Sequence, residues 1–448
     1  GVDLARTAYL PRADVLLQEN RSTRNNLSSF LLPQGVIPNI SGPVLPGDSP
    51  TMRYNSAAGL FISWEPFDLG LRGARVGQAK GETLQAERAR ELTEFDVSVS
   101  AADTFLALLA AEEAVRSARA TVGRFEIFAR SIAVLAKNQL RPGVDASRAE
   151  AELARARTVL AQAEQSADVA RTLLAQALGE PEAIVKPATG PLLNLPPDVS
   201  VREPSYIEHP EALLQGAAVE TARARKRVAD ASAKPRFFLQ ASGSDRGSGF
   251  LPNGLPNADG GAGFGPDTPN WAVGAAVTYA IADGAERSAR RKAEHANEQA
   301  EKARYEQTLQ ALQARHLAAV AQVKGALKVA ASTPAALAAA RDAQRQTAAR
   351  YAQGLATVSD VSEAENLLTR AEIEDALARL GVWRGFLAEA RASGDLAPWL
   401  SLTSGGGTSA AGSSTRETTS RRSAAGSERS RAMAAPGAGD ERSPRSGR

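Results

Sequence analysis

Two stretches of this chain, residues 71–140 and 285–353, are built largely from Ala, Glu, Arg and Leu; the first has no proline and the second only Pro334. At 1.5 Å per residue, each would make a helix about 105 Å long. No compact domain encloses a rod of that length. This constraint rules out reading the 448 residues as about three ordinary globular domains. Apolar residues at heptad-like spacing, such as Phe95, Val99, Ala102, Leu106 and Leu109, give the first stretch a seam for lateral neighbours. Pro334 predicts a kink or one lost hydrogen bond in the second.

Each long stretch ends at a short turn and is followed by a return helix, at 145–179 and 358–394. Each is preceded by a pair of alternating segments that read as strands, 9–18 with 54–65 and 235–243 with 271–282. Tyr54, Ala58, Leu60, Ile62 and Trp64 share one face; Trp271, Val273, Ala275, Val277, Tyr279 and Ile281 share another. Between the paired strands lie loops rich in Gly, Pro, Asn, Ser and Asp, at 19–53 and 244–270. A Pro-rich linker, 181–206, leads to a shorter helix at 207–232, and the Gly/Ser/Arg-rich stretch 401–448 reads as a disordered tail.

The chain matches itself. Displaced by 215 residues, Trp64 meets Tyr279, Asp68 meets Asp283, Arg72 meets Arg287 and Leu140 meets Leu355. A D-x-S-x-A-E-x-x-L pattern recurs, with Asp145, Ser147, Glu150 and Leu153 against Asp360, Ser362, Glu365 and Leu368. Alanine matches carry little weight in such helices; the Asp, Ser, Leu and Arg matches at one offset carry more. The sequence therefore divides into a first repeat, 1–206, a second repeat, 207–400, and the tail. Only residues 1–8 stand where the first repeat needs a leading helix. The chain thus reads as a fragment lacking about twenty residues of that helix, and any export signal with it.

Composition excludes several chemistries. With no cysteine there is no disulfide, thiolate metal site or cysteine nucleophile. His209, His295 and His316 are far apart in sequence, against a histidine zinc site. No Ser/His/Asp or paired-carboxylate arrangement points to catalysis, and no cofactor motif is present. The glycines at 260–265 precede Pro266 and Asp267 rather than a helix, against a phosphate loop. The tail holds eight Arg against four acids, leaving 45 basic and 46 acidic residues elsewhere. The basic pI of about 9.2 thus belongs to the tail, and no nucleic-acid partner is expected. No apolar run reaches the length of a transmembrane helix.

Four amphipathic strands leave edges that a closed barrel would abolish. Bacterial barrels start at about eight strands, so several chains must share one, and three chains would supply twelve strands. Here the chain resembles the TolC-like outer-membrane efflux proteins. The resemblance rests on the repeated strand–long helix–turn–return helix order over residues 1–400. Two blocks carry it locally: Y-x-x-G-x-x-x-x-x-D-V at Tyr351, Gly354, Asp360 and Val361, and R-P-G-V-D-A-S-R-A-E-A-E-L at 141–153. It implies a mainly α fold with a small β part. A homotrimer would form a twelve-stranded β-barrel in outer-membrane lipid, continued by an α-barrel in the periplasm and ringed by a collar from 181–206 and the segment after 395. It also implies a periplasmic adaptor (a membrane fusion protein) and an inner-membrane pump as partners in a tripartite export system, with passive conduction through the duct.

Carried over residue by residue, the resemblance places Asp360 and Glu363 at a pore aperture, with Asp145 as the first-repeat counterpart and Tyr351 as an aromatic that ties helices together when closed. Gln139, Leu140, Arg141 and Gly354, Leu355, Ala356 become the tips that meet the adaptor. Three departures stand out: Gln139 replaces a glycine cap, Ala136 stands where the second repeat has Tyr351, and Ala356 stands where some relatives have a polar or basic latch. Each assignment has a plainer counterpart. Asp145 and Asp360 are placed to cap return helices; Glu363 fits a solvated helix face, and Tyr351 and His316 fit packed seams. Trp64, Trp271 and Tyr279 suit an interfacial girdle or a core. The alternative for the whole chain is a soluble or peripheral coiled-coil scaffold, which has no need of two hairpins with outward apolar faces.

Overall fold

The computed structural model describes residues 1–23, 51–183, 185–187, 190–196, 203–251, 253 and 255–403. Most of the loop 19–53, parts of the linker 181–206 and the tail beyond 403 lie outside the described residues. In chain order the elements are α1 (Val2–Thr7), β1 (Arg12–Thr23), β2 (Met52–Trp64), α2 (Leu71–Lys137), α3 (Gly143–Ala177), α4 (Pro210–Ala231), β3 (Arg236–Ser248), β4 (Thr268–Thr278), α5 (Gly284–Ala352), α6 (Val358–Ser393) and α7 (Ala397–Thr403). Two 3₁₀ turns, Gly190–Leu193 and Tyr206–Glu208, lie between α3 and α4. The fold is mainly helical with one small antiparallel sheet.

The strands form that sheet in the order β1-β2-β3-β4. Cross-strand rows run Val15–Leu60–Gly243–Trp271, Ala13–Ile62–Ala241–Val273 and Trp64–Leu239–Ala275. Side chains alternate across a strand, so these rows share one face. Val15, Leu17, Leu60, Ile62, Trp64, Leu239, Val273 and Val277 on it are exposed, and Trp271 is 82% exposed. The other face carries Arg12, Asp14, Gln18, Asn55, Ser63, Gln240, Ser242, Ser244 and Arg246, around a small cluster of Ala57, Phe61, Leu16 and Ala272. β1 and β4 are edges with no pairing partner on their outer sides among the described residues.

Strand ends differ from the alternation read in the sequence. β1 runs on through the polar Glu19–Thr23 and β3 through Ser244–Ser248 because their backbones pair with Met52–Ser56 and Asn55–Gly59; ladder hydrogen bonds do not require apolar side chains. β4 ends at Thr278, leaving Tyr279 and Ile281 exposed beyond it.

The sheet joins the helices at two corners built alike. Arg72, near the start of α2, donates from Nε to Asp68 Oδ2 at 3.0 Å and from Nη1 to Ala8 O at 3.3 Å, with its guanidinium 4.7 Å from the Tyr9 ring. Arg287, near the start of α5, donates to Ala233 O at 3.3 Å and Ala280 O at 2.6 Å, and lies 5.0 Å from the Tyr279 ring. In each case an arginine early in a long helix ties down the chain entering or leaving the sheet.

α2 and α5 contain 67 and 69 residues, about 100 Å each. α5 continues through Pro334 without interruption. α2 packs against α3, α4 and α6, and α5 against α4 and α6. Between α4 and α5, the buried Glu298 meets Lys302 at 2.8 Å, Lys226 at 3.0 Å and Arg223 at 3.6 Å. Lys302, then Lys226, hold its carboxyl at about 2.

The largest core lies midway along the helices, where Leu106, Leu109, Val323, Leu380, Val382, Trp383 and Phe386 meet Leu192 and Trp399. Trp383 Nε1 donates to Asn194 O at 2.8 Å, and Trp399 Nε1 to Trp383 O at 3.2 Å. The segment after α3 and the segment after α6 thus dock on one tryptophan. Burial of Trp399 explains why α7 forms where the sequence loses its helical period.

Candidate functional site

The far ends of the two helical hairpins gather most of the residues singled out from the sequence. At the first turn, Gln139 N–H donates to Ala136 O at 3.0 Å and Leu140 N–H to Leu135 O at 2.9 Å. At the second, Gly354 N–H donates to Tyr351 O at 3.0 Å and Leu355 N–H to Arg350 O at 2.9 Å. Both are Schellman caps, formed at positions 215 apart. Gln139 takes φ 59° and Gly354 φ 77°. A non-glycine residue pays about 1–2 kcal/mol for that left-handed backbone, and Gln139 accepts the cost because the cap satisfies the last carbonyls of α2. The missing glycine does not change the turn.

The helices that follow start differently. α3 has Pro142 at its N-cap with no side-chain cap. α6 starts with a capping box, in which Asp360 N–H donates to Thr357 Oγ1 at 3.2 Å and Thr357 N–H to Asp360 Oδ2 at 2.7 Å. That backbone bond from Thr357 holds the Asp360 carboxyl below its ordinary range, with the Thr357 hydroxyl and Arg350 acting the same way. Asp360 and Glu363 are both exposed, and Asp145 is half-buried.

A cluster of Ile132, Ala149, Tyr351, Val358 and Val361, flanked by Phe128, Ala146 and Ala356, joins the two hairpins at their tips. The Tyr351 ring lies edge-on to Phe128 at 5.1 Å. Arg141, from the first turn, crosses to it: Nη2 donates to Tyr351 O at 2.9 Å, and the guanidinium sits 4.7 Å from the ring centroid. The Tyr351 hydroxyl is buried with no hydrogen-bond partner among the described residues. Burial pushes its pKa up, Arg141 pulls it down and Asp145 raises it again. Arg141 and Asp145 therefore both act on Tyr351, while Asp360 and Glu363 stand apart on the surface of α6. Leu140 and Leu355 project from the tips, largely exposed, with Gln139 and Gly354 beside them; Ala356 is half-buried.

Behind the tips, Glu365 accepts from Arg124 Nε at 2.6 Å and from Gln344 Nε2 at 2.7 Å, while Thr121 and Thr369 hydroxyls meet at 2.6 Å. Glu365 is buried, whereas Glu150, its match in the sequence comparison, is exposed. Sequence reasoning missed this hub and the contact of Arg141 with Tyr351. Only the position of Arg141, 215 residues before Ala356, hinted that a basic residue at one tip could serve the other. Among the described residues, no group of three or more His, Asp or Glu side chains could hold a metal ion, and no helix is long and apolar enough to cross a membrane.

The family of outer membrane efflux proteins matches residues 1–180 and 208–383. The chain belongs to that family. Its members are non-enzymatic outer-membrane ducts that work in tripartite efflux systems, and the chain is accordingly an outer-membrane efflux protein and not an enzyme. Among solved structures, it is similar to a membrane protein from Pseudomonas aeruginosa, with 20% identity, a TM-score of 0.70, and 88% of this chain and 86% of the other covered. It is similar to the outer membrane protein VceC of Vibrio cholerae, with 18% identity, a TM-score of 0.65 and coverage of 88% and 89%. It is also similar to the open state of the Neisseria gonorrhoeae MtrE outer membrane channel, with 19% identity, a TM-score of 0.64 and coverage of 88% and 82%. At these identities the likeness is one of fold. Compared with curated proteins by sequence, the chain has no match.

Proposed function

We propose that three copies of this chain, each made of two repeats of one unit, form the exit duct of a tripartite efflux or secretion system. Each copy contributes four strands to a twelve-stranded barrel and its helices to a periplasmic tunnel, through which substrate passes passively. The observation that carries the reading is the sheet. One face is a continuous exposed apolar surface, the other is mostly polar, and neither edge has a pairing partner among the described residues. An apolar band outside and polar residues inside are what a membrane barrel needs, and closure with further copies is what open edges need. Helices of about 100 Å then continue the wall on one side of the membrane.

In this reading the tips Gln139–Arg141 and Gly354–Ala356 meet a periplasmic adaptor coupled to an inner-membrane pump. Asp360 and Glu363, exposed near the end of the second hairpin, form a threefold acidic ring with Asp145 behind them. Like charges at a constriction select cations. Arg141 on Tyr351 holds the hairpins together in the resting state, and opening is a hinge-like separation at the turns.

Single-channel recording of the full chain in planar bilayers tests this. The double variant Asp360→Ala, Glu363→Ala is expected to lose most of its cation preference. Unchanged selectivity would reject the ring, and recovery of the full chain as a soluble dimer would reject the duct.

A further inference from the structure

Two buried histidines flank the segment that enters α4. His209 caps α4: its Nδ1 accepts the Glu211 N–H at 3.1 Å, and its Nε2 lies 3.0 Å from Arg391 O near the end of α6. A backbone N–H can only donate and a carbonyl can only accept. Both bonds therefore exist together only in the neutral ring with its proton on Nε2. The ring lies edge-on to Phe95 at 5.8 Å. It also sits so close to Gly394 that a Cβ there would come within 2.8 Å of it. His209 is thus a strap from the start of α4 to the end of α6.

His316 faces the other side of the same segment. It lies on the buried face of α5 with Leu312, Ala319 and Val323. Its ring meets Tyr206 at 6.0 Å. Its Nδ1 is buried with no hydrogen-bond partner among the described residues and lies 3.9 Å from Glu389 Oε1. Burial, and then Asp395, push the Glu389 carboxyl above its ordinary range.

We propose that this junction is a proton-sensitive clamp: neutral His209 holds α4 to α6, and protonation moves the hold to a His316–Glu389 pair between α5 and α6. A proton on His209 Nδ1 would face the Glu211 N–H, donor against donor, and would place a positive charge at the N-terminus of α4, where the helix dipole opposes it. A proton on His316 Nδ1 would instead gain the waiting carboxylate. The charged groups around His209 are Asp96 on α2, Glu211 on α4, Arg315 on α5 and Arg391 on α6. They are paired as Arg315–Glu211 at 2.6 Å and Arg391–Asp96 at 3.6 Å, so neither sign dominates. Around His316 stand Glu389, with Asp395 beyond it, and Tyr206, with Glu203 beyond it. Lowering the pH from about 8 to about 5 would therefore free the Tyr206–His209 entry and tighten α5 on α6.

Hydrogen–deuterium exchange on the full assembled protein, corrected for intrinsic rates, tests the clamp. Protection of the amides of 211–213 is expected to fall on the order of tenfold across that range, as for loss of a helix cap. It should stay level in His209→Asn, which keeps a capping acceptor but does not titrate. His316→Gln should unfold at a lower temperature than the wild type in acid and at the same temperature at neutral pH. Equal pH courses in the wild type and His209→Asn overturn the proposal. If His209→Asn does not fold, the wild type decides: loss of protection confined to 211–213 supports the clamp, and an equal loss at 326–330 overturns it.

Discussion

At the first tip a glutamine occupies the left-handed position and a proline starts the return helix; at the second, a glycine and a capping-box threonine do so. The backbone hydrogen bonds of the two turns are nevertheless the same. Turn geometry is set by the need to satisfy the last carbonyls of a long helix, and several residue types meet that need. What differs is what the turns hold. The first offers Arg141 and has Ala136 where the second has Tyr351; the second offers Tyr351 and has Ala356 where the first has Arg141. Each tip carries the half of one contact that the other lacks, so the asymmetry ties the hairpins together.

The strongest way to break the comparison is Arg141→Ala. It removes a stacked cation and a charge-assisted bond to a carbonyl, about 1–3 kcal/mol together. The thermal midpoint should fall, and channels in planar bilayers should open more often. Ala356→Ser, at the matching position of the other tip, should do neither. Equal effects would show that Arg141 is ordinary surface.

A smaller effect separates the caps. Gly354→Gln should cost about 1–2 kcal/mol for the left-handed backbone, whereas Gln139→Gly should gain a similar amount. Chemical denaturation of the pair measures both, and the idea fails if the two changes have the same sign.

The smallest effect concerns pH. The Asp360 carboxyl is held low by its bond from Thr357. A carboxyl whose pKa is depressed on folding stabilises above its ordinary value of about 3.8 and loses that contribution as the pH falls through the depressed value. Amide exchange at the start of α6 should therefore quicken in strong acid, and Asp360→Asn should remove that acid step. The start of α3, which lacks such a box, should show no matching step.

Much of this was legible in the chain. The proline-free run from Leu71, the Ala-, Glu- and Arg-rich composition and the matches of Arg72 with Arg287 and Leu140 with Leu355 pointed to long helices with turns in the right places. The outward row of Trp271, Val273 and Val277 was readable from alternation alone. Other features were not legible, for physical reasons. Propensity disfavours Gln139 at positive φ, and only the cap bonds outweigh it. The polar end of β1 pairs through its backbone, which sequence alternation does not register. Arg141 and Tyr351, like Arg124 and Glu365, meet across hairpins, and the distance between helices is a tertiary property. Comparison at one offset treated Glu150 and Glu365 as equals, but only Glu365 faces a neighbouring helix with an arginine to meet it.

The open edges of the sheet carry a consequence for assembly. If copies add edge to edge, a dimer has two free edges just as a single copy has, and only the step that closes the ring removes both. Intermediates then gain no protection from being larger, so partly assembled protein is as adhesive as the starting chain. On that route, a substitution that slows closure would be felt first as lost yield, well before any change in the finished duct.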